Sequence, residues 1–85
     1  MPGDQCFWDL DDDPGGNVQH IAQHGLSKED IDHAIEFSSE ELRSDSSGLP
    51  LIFGPALDGS MIVVVYERID ESSIYPVTAY RPSKR

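Results

Sequence analysis

The stretch Met61 to Ile69 reads MIVVVYERI, six uninterrupted apolar residues followed by charge. Three consecutive valines are stiff at χ1 and suit a pleated surface, and a continuous apolar run of this length fits a strand covered on both faces better than a helix. The reading places this strand in the middle of a sheet, with Val63 and Val65 almost fully buried. It gives the strand hairpin neighbours at Leu51 to Phe53 and Ile74 to Tyr80, and lays the helical first half of the chain over one face.

Working outward, Asp58-Gly59 marks a hairpin turn into the central strand. The strand before that turn, Leu49 to Gly54, contains Pro50 and is stopped by Gly54-Pro55, which makes it an edge or a strand start. Further upstream, Glu41 to Asp45 within the polar stretch SSEELRSDSSG reads as a short edge strand. On the other side Ile69 to Ser73, reading IDESS, turns the chain into a last strand, Ile74 to Tyr80, which Pro82 ends. Simple alternation sets Tyr75, Val77 and Ala79 on one face of it and Ile74, Thr78 and Tyr80 on the other.

The first half reads differently. Cys6, Phe7, Trp8 and Leu10 suggest a short first strand, in which the lone cysteine is a small buried hydrophobe. An acidic run and Pro14-Gly15-Gly16 end it. A helix is expected from Asn17 as N-cap, burying Val18, Ile21 and Ala22 and closing at His24-Gly25. A second helix follows, with Ser27 and Asp30 as a capping box, Leu26 and Ile31 as a staple, and Ile31, Ala34 and Ile35 as the buried stripe. The order is strand, helix, helix, then three or four antiparallel strands: an α+β fold in a single domain spanning 1–85.

The charge bears on function. A formal net charge of -10 repels polyphosphate at long range, so composition alone does not predict a nucleic-acid partner. The distribution is uneven. Asp9, Asp11, Asp12 and Asp13 crowd one loop and six acids fall between Glu29 and Glu41, whereas Arg81, Lys84 and Arg85 make the C-terminal end locally basic. The N-terminal residues have neither the basic nor the apolar region of a signal peptide, and a single cysteine suits a reducing compartment, so the expected location is the cytoplasm.

Metal motifs are incomplete. The run from Asp9 to Asn17 has acids at the first, third and fifth positions of a calcium loop, but Pro14 stands where glycine is required and His20 where a bidentate glutamate is required. His20 and His24 share the four-residue spacing of zinc ligands, without the glutamate of HExxH or a third ligand nearby. No metal or other cofactor is therefore expected. With no nucleophile elbow, P-loop or dinucleotide fingerprint present, the remaining candidates are Tyr66, Arg68, Tyr75, Tyr80 and Arg81 on two neighbouring strands. Aromatic and guanidinium groups on one sheet face can stack on bases and neutralise phosphate.

Taken together, Phe7-Trp8-Asp9, Asn17, His24-Gly25 leading into Ser27, and a valine-rich strand before Ile74-Tyr-Pro-Val-Thr-Ala-Tyr80 resemble the BrnT family of toxins. These are small ribonucleases of bacterial type II toxin-antitoxin modules with a RelE-like fold. The resemblance spans nearly the whole chain and implies a diverged member. The family's C-terminal motif reads approximately R-I-I-S-A-R, so Tyr75 and Tyr80 stand in the places of its two arginines, with Arg81 displaced by one residue, and Gln23 replaces the basic residue usual before His24-Gly25. What it implies is a metal-independent endoribonuclease in which Arg68, Arg81, Tyr75 and Tyr80 position RNA, Tyr66 contributes to substrate binding, and an antitoxin protein is the partner. The alternative is a non-catalytic protein-interaction module of the same fold that works through its acidic surface.

Overall fold

The computed structural model describes residues 5–38, 41–43 and 48–82. The chain runs through β1 (Gln5–Cys6), α1 (Asn17–Ala22), α2 (Lys28–Glu36), β2 (Glu41–Arg43), β3 (Pro50–Pro55), β4 (Met61–Asp70) and β5 (Ser73–Tyr80). The strands form one sheet in the order β1-β5-β4-β3-β2. β4 is thus central, and Val63 and Val65 retain only 3 and 8 % of their exposure, as the unbroken apolar run requires. The class is α+β, and the five-stranded sheet is mixed rather than purely antiparallel, because the first strand joins the edge parallel to β5. The other pairs are antiparallel hairpin neighbours. Among the described residues no helix is long and apolar enough to cross a membrane.

Both helices pack on one face of the sheet. Ile21, Leu26, Ile31, Ala34 and Ile35 meet Ile52, Ile62, Val64, Tyr66, Ile74 and Ala79 in a single core. Each fully buried isoleucine contributes roughly 1.5–3 kcal/mol relative to exposure. Helix α2 lies so close to β3 that a Cβ on Gly54 would stand 2.1 Å from the carbonyl oxygen of Ala34. This revises the expected role of Gly54, which does not stop the strand but lies within it, at the point where only a missing side chain lets the helix approach.

The helix signals divide. Ser27 and Asp30 form the capping box in both directions, and Asp30 also accepts the backbone N–H of Leu57, tying the β3–β4 turn to α2. Burial of the Asp30 carboxyl works against its ionisation, but the N–H groups of Leu57 and Ser27 outweigh it and hold it below the usual aspartate range. Gly25, at φ +76, closes α1 with the Leu26 N–H to Ile21 carbonyl and Gly25 N–H to Ala22 carbonyl bonds of a Schellman motif. Asn17, by contrast, is not the N-cap. Gly16 holds that position, while Asn17 is the first helical residue and is buried. Ala22 is exposed and takes no part in the buried face.

The first strand is shorter than its apolar residues imply. After the Phe7 N–H donates to the Ile74 carbonyl the chain leaves the sheet, so Phe7 and Leu10 are exposed. Cys6 is half-buried and packs with Trp8 against the core. Glu41 to Arg43 form the expected edge strand, and the remainder of that expectation, 44–45, lies outside the described residues.

The alternation expected for the last strand fails at one position. Thr78 pairs with Val65 and Pro76 with Tyr66, which leaves Val77 as an extra residue, a bulge beside a proline that cannot donate to the ladder. The bulge inverts the phase of everything before it. Ile74 and Ala79 therefore share the helix-covered face, and Tyr75, Thr78 and Tyr80 share the other.

Candidate functional site

The five residues singled out from the sequence separate into three places. Tyr66 points into the core, fully buried, and its hydroxyl donates to the Glu41 carboxylate on the edge strand. Burial, and after it the bond to Glu41, pushes its hydroxyl pKa well up. Arg68 lies 6.0 Å over the Tyr66 ring and donates to the carbonyls of Asp70 and Glu71. These two residues and Glu41 join β2, β4 and the hairpin that follows it, which is a structural task. The substrate-binding part expected for Tyr66 therefore has no exposed surface to act from.

Tyr75 is at the second place. Its hydroxyl donates to Asp9 at 2.6 Å, and the charges of Asp9, Asp13 and Glu67 all act on it. The hydrogen bond to Asp9, then burial, raises the Tyr75 pKa, while the same bond and then the N–H of Asn17 lower that of Asp9. Asn17 completes the arrangement. Its side-chain oxygen accepts from the Asp9 N–H, and its amide donates to the carbonyls of Phe7 and Pro76 at 3.0 and 2.9 Å. The acidic loop is thus laced to α1 and β5, and Asp9 caps the helix by accepting the Asn17 N–H.

The third place is the opposite end of β5. Register puts Tyr80 beside Val63 and Ile74 beside Arg68, so the two ends differ by five residues along β4, about 16 Å. Arg68 and Arg81 therefore do not meet. Arg81 instead donates to the His24 carbonyl at 3.3 Å and to the Ser60 hydroxyl at 3.3 Å, and pairs with Asp58 at 3.6 Å. Ser60, through its hydroxyl and its N–H, and then Arg81 hold the Asp58 carboxyl below its ordinary value. The His24 ring lies 6.3 Å from the Tyr80 ring and 6.1 Å from that of His20, with the two imidazoles stacked. His20, His24 and Arg81 are exposed and Tyr80 half-exposed.

This end holds two imidazoles, a guanidinium and a phenol within one exposed corner. Such a set can bind an anion and move protons without a metal. Among the described residues no three His, Cys, Asp or Glu side chains converge as a metal site. The two histidines enter here as residues that sequence reasoning weighed as zinc ligands, with His24 also closing the first helix, and not as groups for proton transfer. The signal that points to His24 is its place before Gly25, since the Schellman turn carries its carbonyl to Arg81. No family model, no curated protein and no solved structure matches the chain.

Proposed function

We propose that the chain is a toxin-like, metal-independent endoribonuclease of RelE-like type, acting through His20, His24, Tyr80 and Arg81. The observation that carries this is the packing of the C-terminal end of α1 against the C-terminal end of β5, which sets Arg81 on the His24 carbonyl and the His24 ring beside Tyr80. RNA can be cleaved without metal when its own 2′-hydroxyl attacks the neighbouring phosphorus. The new O–P bond forms as the bond to the 5′-oxygen breaks, leaving a cyclic phosphate and a 5′-hydroxyl. The reaction needs a base for the 2′ proton, an acid for the departing oxygen and a cation for the phosphate charge. Neighbouring imidazoles suit the two proton transfers, Arg81 suits the phosphate, and Tyr80 offers a ring for a base to stack on.

Binding is expected to be weak and sensitive to salt, because one arginine faces the field of a chain with net charge -10. An antitoxin protein is the partner this reading implies. The test is expression without any partner in a bacterial host, with incubation of purified protein and end-labelled single-stranded RNA at low salt. Growth arrest and cleavage, both lost in His24→Ala and Arg81→Ala at unchanged abundance and fold, support the reading. Unaffected growth at high soluble expression, with RNA left intact, defeats it.

The non-catalytic alternative is favoured by a separate observation. The hydroxyls of Tyr66 and Tyr75, two of the three tyrosines, are bonded to carboxylates rather than presented to solvent. If RNA stays intact, a protein-binding module with an acidic surface takes the place of the ribonuclease.

A further inference from the structure

The two edges of the sheet differ. At β1 the edge is two residues long, after which the chain leaves the sheet. At the other edge stands β2, whose Glu41, Leu42 and Arg43 are all exposed, Leu42 at 44 %. An edge strand carries backbone groups that can pair with another chain, and the ladder decides which of them point outward. The Ala56 N–H donates to the Ser60 carbonyl, and β3 pairs with β4 without a register shift from Pro55 back to Leu51. Counting back by alternate residues, Gly54 and Ile52 bond to β4, and Leu51 turns its N–H and carbonyl the other way, toward Leu42. The Pro55 carbonyl, in the same phase as that of Leu51, faces away from β4 and accepts from the His33 ring at 2.8 Å. Pro50 falls opposite Arg43, where no ladder bond is needed from it. Leu42 is thus bonded within the sheet, while the N–H and carbonyl groups of Glu41 and Arg43 point out from its edge.

We infer that β2 is a dimer contact, pairing antiparallel with β2 of a second copy about a two-fold axis through Leu42. In that pairing Glu41 of each copy stands opposite Arg43 of the other, and the two exchange N–H to carbonyl bonds in both directions. Leu42 meets Leu42 at the axis, a position without ladder bonds between the copies, where the backbones come closest and the side chains touch. Charges on an edge strand normally deter pairing. Here their order does the reverse, because an acid and a base two residues apart attract in the antiparallel arrangement, whereas a parallel one would set Glu41 against Glu41. A surface that complements itself in this way is what a two-fold dimer requires. Tyr66 engages Oε2 of Glu41 and the Gly48 carbonyl engages Nη1 of Arg43, and a carboxylate and a guanidinium each have further atoms for a partner. The net charge of -10 on each copy opposes association, but at physiological salt it is screened beyond about 8 Å while pairs in contact are not. The contact is small, so the dimer is transient. It involves neither His24 nor Arg81 and does not rest on the ribonuclease reading.

The experiment follows the full chain from micromolar to millimolar concentration at physiological salt, by sedimentation and by amide NMR of labelled protein. A reversible equilibrium between monomer and dimer, with nothing larger, is expected. As the dimer forms, the Glu41 and Arg43 amides should shift and gain protection from exchange, while that of Leu42, already bonded to Leu51, is protected at every concentration. Leu42→Lys, at an exposed position, should weaken association by about tenfold or more. Arg43→Glu and Glu41→Arg each set like charges against each other and should dimerise less well by a similar factor, whereas their equimolar mixture restores both ion pairs and should associate nearly as well as the parent. A parent that stays monomeric to millimolar concentration overturns the proposal. So does a dimer indifferent to Leu42→Lys, a set of shifts centred on β1 or on the helices, or a mixture no better than either variant when circular dichroism shows both folded. Should Glu41→Arg unfold for want of the Tyr66 acceptor, the amide pattern of the parent decides alone.

Discussion

Tyr75 and Tyr80 lie on one strand and on one face of the sheet, yet they meet opposite chemistry. The Tyr75 hydroxyl is held by Asp9 in a corner that also feels the charges of Asp13 and Glu67, and Asp9 is fastened through Asn17 to the first helix and the last strand. Tyr80 stands beside an exposed imidazole and an arginine that pairs with Asp58 at 3.6 Å. The first end is anchored by the buried Asn17 and its bonds to backbone. The second has exposed, titratable groups and weak pairings. What the difference teaches is that one residue type on one strand carries no fixed role: Tyr75 is a joint, held by Asp9, while Tyr80 stands half-exposed beside the His24 ring.

The comparison can be broken most strongly at Asn17. Replacing it by Ala removes three hydrogen bonds and leaves the carbonyls of Phe7 and Pro76 and the N–H of Asp9 without that partner. A cost of about 3 kcal/mol is expected, read as a fall in Tm of about 12–24 °C. Cleavage per folded molecule should stay unchanged. A loss of activity without loss of stability would mean that the acid end is not structural.

Arg81→Ala addresses the other end. Its ion pair is exposed, so thermal stability should change by less than about 1 kcal/mol, while the rate of RNA cleavage should fall by about a hundredfold or more. A stable variant that cleaves as fast as the parent would erase the distinction between the two ends.

Tyr75→Phe tests the proton balance. The Asp9 pKa is lowered in the folded chain from its ordinary value of 3.8, so its contribution to stability is present above 3.8 and is lost as pH falls through the folded value. The Tyr75 pKa is raised above 10.0, so its contribution is present below 10.0 and lost as pH rises through the folded value. Between those limits both act in the same direction. The variant should move the Asp9 titration midpoint, followed by carboxyl NMR, upward toward 3.8. An unmoved midpoint would show that the N–H of Asn17 alone sets it.

The smallest effect is expected at Asp58. Its replacement by Asn releases Arg81 from its acidic neighbour, and RNA binding at low salt should strengthen by a few fold with no change in fold. Weakened binding would instead make Asp58 a positioning residue for the guanidinium.

Several of these features could be read directly from residues and their local spacing. The valine run specified a central strand because its stiffness and apolarity have one economical solution. Ser27 with Asp30, and His24 with Gly25, specified a helix start and a helix end because capping is chemistry within a few residues. Tyr80 and Arg81, which the resemblance singled out, both lie at the corner proposed to act on RNA. The roles of Tyr66 and Arg68 were not, since the carboxylate that receives Tyr66 belongs to a strand 25 residues upstream.

The chain by itself determined its elements and their order, because helix caps, turn residues and apolar runs act over short distances along the backbone. The tertiary structure alone decided which side chains share a surface. A single bulge at Val77 puts Tyr75 and Tyr80 on one face, an amide 59 residues from the Pro76 carbonyl makes Asn17 a core fastener rather than a cap, and a contact across 57 residues brings Arg81 to His24. The reason is physical: strand phase and long-range hydrogen bonds depend on partners that no local window contains.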